Sequence, residues 1–381
     1  MAHLRVKVRR KRHRPLRRRR IVRRRRGAPG RSIRAYRRRF SHRRPAGGVR
    51  HPAPDPGLGQ RAFEAGRRAA HNSGEDPNIG LLKQINQCWN EWRSAHHLTG
   101  LPWNAYHEVS AKFAAGFQQE RGSRLHAPVL VTTTKTIGVV ITAMNEERAI
   151  ASVLEQLARL PLDETVIVVN GSTDQTFAKV RSCTGGIVLH FVHPLGHDVG
   201  RAVGAKQTNA DIVLFLDGDF PINAEHFVPF IDAVANGMDV ALNDITPYID
   251  VFANRDPVTI VKELLNRALE RTDLAANSMT AVPHALSRKA LETIGCSNLV
   301  VPPKAQAIAI RSGLRVGQAM SVDVISKNRV RDKNSGIDNP VSHMIVGDHL
   351  EAFELIMRSD GARLKMSDKI RNRSALGRAS T

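Results

Sequence analysis

From Thr136 onward the apolar positions alternate between two periods. Ile137–Ile141 is a short β-branched run, and Glu146–Leu160 then carries Ile150, Val153, Leu154, Leu157 and Leu160 at helical steps, with Asn145 placed as the N-cap. Thr165–Val169 reads as a strand, Asp174–Arg181 as a helix, Ile187–Val192 as a strand, Val199–Thr208 as a helix and Ile212–Leu216 as a strand. Such alternation predicts a parallel sheet with right-handed crossovers. Upstream, from about Gln60 to Glu120, the pattern is helical, with Phe63, Leu81, Leu82, Ile85, Trp89, Trp92 and Leu98 at three- and four-residue steps. Trp89 and Trp92 stand one turn apart. They could form a platform for a sugar or a base, but large aromatics at helical spacing more often form core, so a packing stripe is expected. Near the end, His343–Met357 reads as a last helix that packs against the sheet domain.

Charge changes the picture at the N-terminus. The 381-residue chain carries 58 Lys and Arg against 35 Asp and Glu, a formal charge of +23, and 23 of those bases lie in residues 1–50 beside no acid. The rest of the chain is then formally neutral, so a globally basic nucleic-acid-binding fold is not indicated. Repulsion at that density predicts a disordered arm over 1–56, able to touch nucleic acid or another polyanion without sequence preference through residues 1–50. A helical module over 57–130, a catalytic-type α/β domain over 135–358 and a flexible tail over 359–381 complete the expected organisation. No run approaches the roughly 18 apolar residues of a transmembrane segment. The three cysteines, Cys88, Cys183 and Cys296, form no CxxC pair, so a reduced, cytoplasmic setting is expected.

In open α/β sheets ligands sit beyond the carboxyl ends of the strands, and three polar clusters fall there. Thr142-Ala143-Met144-Asn145-Glu146 follows the first strand, Asn170-Gly171-Ser172-Thr173-Asp174 the second, and Asp217-Gly218-Asp219 the fourth. If strand geometry persists, Asp217 and Asp219 project to one side. Two hard oxygen ligands suit Mg²⁺ or Mn²⁺ with substrate phosphates completing the shell, although an Asp-x-Asp can also be a solvated turn. In the stretch Gly196–Gly204, Arg201 can offer paired donors to phosphate oxygens and the glycines could admit a phosphate, whereas Gly204 reads better as a small face packed on the sheet. The dinucleotide fingerprint GxGxxG is absent after the first strand, which disfavours nicotinamide or flavin chemistry.

The runs IGVVITAMNEERAIASVLEQL, VIVVNGSTDQT and GHDVGRAVGAKQTNADIVLFLDGD together resemble nucleotide-sugar glycosyltransferases of the GT-A fold, family 2 type, over Ile137–Asp219. The resemblance implies a Rossmann-like, mainly parallel sheet flanked by helices. It places Ala143, Asn145 and Glu146 around the nucleoside and Asn170 where the family usually has an Asp facing the base. Arg201 and Asp217 then face the nucleotide sugar, and Asp217 and Asp219 are the acid pair for the metal and diphosphate. Thr142 and Met144 stand where Pro and Tyr are usual. The second half is faintly similar in layout to retaining glucosyl- or mannosylglycerate-type synthases, but the family acid aligns with Ala307 and the metal-binding His with Arg329. His343 and His349 lie further on and either could supply a third metal ligand; His349 is named as the candidate. No acid lies between Glu292 and Asp323, where inverting relatives carry their base, so no catalytic residue is assigned.

The function this implies is metal-dependent transfer of a sugar from a nucleoside-diphosphate sugar to an unidentified acceptor. The alternative is a catalytically weak or inactive GT-A-like scaffold recruited to a polyanion by its arm. The layout is also loosely similar to spore-associated transferases, which suggests a peripheral or spore-associated location.

Overall fold

The computed structural model describes residues 57–74, 80–98, 100–123, 125–249, 251–325, 339–368 and 370–371. The expected basic arm, Arg329 and the last ten residues of the expected tail lie outside them. Three helices come first: α1 (Leu58–Asn72), α2 (Leu81–Ala95) and α3 (Trp103–Arg121). Helices α1 and α3 approach until backbone meets backbone. A Cβ at Gly66 would run into the carbonyl of Phe113, and one at Gly116 into that of Phe63, so only glycine permits this crossing. Trp89 is fully buried, its indole N–H donating to Tyr106 Oη at 3.0 Å, and Tyr106 in turn donates to the Leu130 carbonyl at 3.1 Å. The tryptophan is core, as its helical spacing predicts.

The helical module joins the sheet through side chains that act as a strand edge. Asn86 accepts from Val131 N–H at 2.8 Å and donates to Thr133 O at 3.0 Å, and Asn90 donates to Val131 O at 3.0 Å. Buried polar backbone needs such partners, and α2 supplies them to the segment that leads into the first strand. Trp89, Phe113 and Ile85 consequently share one apolar cluster with Ile137, Val139, Ile141, Phe227 and Phe230.

The sheet has seven strands: β1 (Ile137–Ala143), β2 (Glu164–Asn170), β3 (Ile187–Phe191), β4 (Ile212–Asp217), β5 (Val240–Asn243), β6 (His284–Ser287) and β7 (Val316–Met320). Their order is β3-β2-β1-β4-β6-β5-β7. Strands β1 to β4 are parallel, β6 runs antiparallel between β4 and β5, and β5 pairs parallel with β7. This is the expected mainly parallel GT-A-type sheet, with buried β-branched and leucine runs in β1, β2 and β4 because helices cover both faces.

Crossovers are made by α4 (Ile150–Leu157), α5 (Thr176–Cys183), α6 (Val199–Ala205) and, farther on, α7 (Val228–Ala235). Helix α4 starts four residues later than the apolar pattern suggests, and Asn145 does not cap it. Asn145 instead has φ +58° and uses Oδ1 to accept from Thr173 N–H at 2.8 Å, a tertiary bond that outcompetes the cap. Helix α8 (Pro257–Ala268) is capped by Asp256, whose carboxylate accepts from Thr259 N–H at 2.7 Å. After α9 (Arg288–Ile294) and α10 (Pro302–Arg311), the long α11 (Pro340–Asp360) packs on α8 and α10. Among the described residues no helix is long and apolar enough to cross a membrane.

Candidate functional site

The parallel register sets Thr142 on β1 beside Asp217, the last residue of β4. Thr142 Oγ1 donates to Asp217 Oδ1 at 2.9 Å, and Gly218 N–H continues the ladder to Thr142 O at 2.9 Å. The Asp217 carboxylate is 35% exposed, open enough to meet a ligand yet anchored on one side. Strand geometry ends at this residue, so the alternation expected to align Asp219 with Asp217 does not operate; Asp219 lies in the turn beyond it, half-buried.

Arg201 enters from the first turn of α6 and is nearly fully buried. Its guanidinium pairs with Asp198 Oδ1 at 2.9 Å, reaches Asp217 at 3.5 Å and lies 3.4 Å from the Met279 carbonyl. Burial works against its charge, but the Asp198 and Asp217 carboxylates outweigh that and hold its pKa above the ordinary value. Arg201 Nε is buried and has no hydrogen-bond partner. The helix bearing it comes close to the sheet because Gly200 and Gly204 have no side chain. A Cβ at Gly200 would lie 2.8 Å from Thr142 Cγ2, and one at Gly204 would strike Val140 Cγ1. Both glycines therefore serve packing, which matches the reading of Gly204 and gives Gly200 the same role.

The nucleoside-side residues gather at the ends of β1 and β2. Ala143 is buried at the end of β1, and Asn145 N–H donates to Ser172 Oγ at 3.1 Å, tying the two strand exits together. Glu146 is buried, with its N–H donating to Thr176 Oγ1 at 2.7 Å. Asp174 resists burial's upward push because hydrogen bonds from Thr176 and Glu147 lower its pKa. Asn170 stands at the end of β2, where both ends of its amide hold the next loop: Oδ1 accepts from Leu195 N–H at 2.7 Å and Nδ2 donates to Gly196 O at 2.9 Å.

His349 lies elsewhere in this arrangement. It shares the α11 face of Ala352 and Ile356, which pack with Leu265 and Ala268 of α8, and is fully buried. Its Nδ1 donates to Ile345 O at 2.7 Å, leaving Nε2 buried without a partner. Burial pushes its pKa down to about 4, and the charged group it feels is Lys262, a cation. Among the described residues no set of three or more His, Cys, Asp or Glu side chains is placed to hold a metal. Among the described residues His349 therefore forms no such set with Asp217 and Asp219, and it sits on the α11 face that packs toward α8. Ala307, at the position of the family acid, is buried in that same cluster.

Sequence reasoning missed two charged neighbours. Asp198 precedes Arg201 by three residues, a spacing that could have revealed the pair. Lys262, on α8, comes within reach of Arg201's charge only through the tertiary fold.

The mainly parallel sheet, with β6 antiparallel between β4 and β5 and polar residues drawn to one carboxyl edge, has the GT-A-type layout that the sequence resemblance implies. Residues 138–295 match the family model of glycosyl transferase family 2. Among curated relatives it is 28% identical over 127 residues to 4,4'-diaponeurosporenoate glycosyltransferase of Staphylococcus haemolyticus, covering 32% of this chain and 34% of that one. It is 32% identical over 108 residues to glucosyl-3-phosphoglycerate synthase of Mycobacterium tuberculosis, covering 26% and 33%. The matched region spans about a third of the length of these relatives. A solved structure of the M. tuberculosis synthase, in complex with Mn²⁺, uridine diphosphate and phosphoglyceric acid, superposes with a TM-score of 0.43 at 20% identity, over 62% of this chain and 80% of that one.

Proposed function

We propose that this protein is a glycosyltransferase that takes a sugar from a nucleoside-diphosphate donor bound across the carboxyl ends of β1, β2 and β4. Ala143, Asn145, Glu146 and Asn170 line the nucleoside side, and Arg201 and Asp217 face the diphosphate. Asp217 and Asp219 hold Mg²⁺ or Mn²⁺. The donor set fits such a cation, since a hard divalent ion is satisfied by one or two carboxylates with waters and phosphate oxygens making up the rest. When bound, the metal would offset the negative charge that grows on the leaving diphosphate. The observation that carries the reading is the placement of Asp217: last residue of a buried strand, held by Thr142 on one side and by buried Arg201 on the other.

The arrangement does its work before any bond breaks. Thr142 and Arg201 fix the rotamer of Asp217, so little reorganisation is left for the moment when charge develops. The Asn145–Ser172 and Asn145–Thr173 bonds hold the nucleoside-side loops in one geometry.

The test is calorimetric titration of UDP, GDP, dTDP and CDP into the protein with and without Mn²⁺, beside Asp219→Ala. Metal-dependent binding of one diphosphate, lost in the variant, is the expected result and selects the donor for transfer assays. Equal binding by wild type and Asp219→Ala would overturn the metal assignment. Absence of binding by all four would favour the scaffold reading.

A further inference from the structure

The helical module holds a cavity that the donor site does not use. About 540 Å³ in volume, it lies between α1 and α2, and its wall includes Trp92, His96, Glu91, Arg68, Asn72 and Ser73. That volume falls within the roughly 300–1,000 Å³ of small-molecule sites. The space is left open because α1 presents only the short side chains of Ala65 and Ala69 to it. Trp89 turns from α2 into the core, whereas Trp92, one turn on, is half-buried and forms part of the wall. The aromatic platform considered for the tryptophan pair therefore applies to Trp92 alone. Its indole is backed by Trp89 and Phe113, with ring centres 5.7 and 5.8 Å away, so the plate is held before any ligand arrives. His96 stands beside it, ring centres 4.9 Å apart and planes 34° from parallel, its Nδ1 donating to the Trp92 carbonyl at 2.9 Å.

Around this plate stand groups of both hydrogen-bonding senses. Arg68 only donates, and among the described residues neither its guanidinium nor the Asn72 amide has a partner. Glu91 only accepts, and it takes one bond, from Gln87 Nε2 to Oε1 at 3.3 Å. Ser73 Oγ is held by Arg121 Nη2 at 3.2 Å. In the neutral His96 ring Nε2 is left as an acceptor. An anion approaching Arg68 is repelled by Glu91, and a wholly apolar ligand would strand the polar rim. A base sandwiched by stacking needs a second ring parallel to Trp92, and His96 is tilted. A sugar ring answers both features of the cavity: its C–H face lies flat on an indole, and each hydroxyl both donates and accepts. Cys88, also in the wall, offers no competing chemistry, since burial and the Glu91 carboxylate push its thiol above the ordinary value and keep it protonated. We infer that this cavity is a saccharide-binding subsite, with Trp92 as the stacking plate and Arg68, Asn72 and Glu91 as the groups that read hydroxyls. It shares no residue with the donor edge and stands without it; its role in the proposed reaction, which alone rests on that reading, is to hold a saccharide part of the acceptor.

The test is calorimetric titration of maltotriose, cellotriose, mannotriose and triacetylchitotriose into the full chain, without nucleotide or metal. Saturable binding of at least one of them is expected. Loss of a charge-assisted hydrogen bond predicts that Arg68→Ala weakens that binding by about tenfold or more, and Trp92→Ala should abolish it. Arg68 and Asn72 are exposed, so their alanine variants keep the packing that Trp92→Ala removes. If none of these trisaccharides binds, or if Arg68→Ala and Asn72→Ala bind as tightly as wild type, the subsite is refuted. Uridine or adenosine binding more tightly than every trisaccharide, and lost in Arg68→Ala, would put a base in the cavity and overturn the proposal equally. Because no nucleotide is present, the result is independent of the donor reading. Trisaccharide binding without diphosphate binding keeps the subsite and rejects the donor site, and the reverse result rejects the subsite alone.

Discussion

Gly200→Ala tests whether packing of α6 on the sheet is what aims the proposed site. The added methyl would stand 2.8 Å from Thr142 Cγ2, 3.4 Å from Val168 Cγ1 and 3.5 Å from Thr142 Cβ. Carbon atoms rest at roughly 3.5–4.0 Å, so about 1 Å of movement is needed. Val168 is fully buried in β2 and stiff at χ1, which leaves α6 or the Thr142 side chain to give way. Overpacking of this kind costs about 1–3 kcal/mol, and replacing a helical glycine by alanine returns about 0.5–1 kcal/mol. A net loss of about 1–2 kcal/mol is expected from urea denaturation, with an unchanged m-value. Either route of relief disturbs Asp217: rotation of Thr142 breaks its 2.9 Å bond to Oδ1, and displacement of α6 carries Arg201 away. A metal-supported diphosphate should then bind about tenfold more weakly, the equivalent of about 1.4 kcal/mol. Thr142→Ser in the same chain deletes the colliding Cγ2 and keeps the hydroxyl, so the double variant should recover most of both losses. Wild-type stability and binding in Gly200→Ala, or no recovery in the double variant, would refute the coupling.

Two further outcomes follow from the structure. Asn86→Leu should destabilise the protein by about 1–3 kcal/mol, because the buried Val131 N–H loses its acceptor, and amide exchange at Val131 should accelerate; unchanged protection there would show that α2 is not the strand edge. Burial lowers the pKa of His284 to about 3 and that of His349 to about 4, while unfolded histidine titrates near 6.5. Between about pH 6.5 and 4 the unfolded chain binds more protons, so stability is greatest above 6.5 and falls on acidification by at most about 1.4 kcal/mol per pH unit for each histidine. His284→Phe, which preserves stacking on Phe215, should show a shallower fall in urea midpoints from pH 7 to 4.5; an identical slope would mean that His284 is not held neutral.

Much of the α/β half was legible in the chain itself. The apolar runs of β1, β2 and β4 and the helical steps between them are local patterns, and local patterns specify strand, crossover and the side on which the polar exits fall. Trp89 could be assigned to the core for the same reason. The acid pair and Arg201 were visible because the family resemblance supplied their order and spacing. What the chain did not reveal was anything that depends on which elements meet. Asn145 looked like a helix cap until Thr173 supplied a better bond, and Asp219 looked aligned with Asp217 until the strand ended at Asp217 itself. His284–Ser287 is four residues long, and only the neighbours β4 and β5 make it an antiparallel strand. His349 resembled a metal ligand in sequence, yet it lies fully buried on the α11 face that packs toward α8. Periodicity records which face of an element is apolar, but the identity of the face packed against it is decided by long-range burial, and the partners of a polar side chain are decided with it.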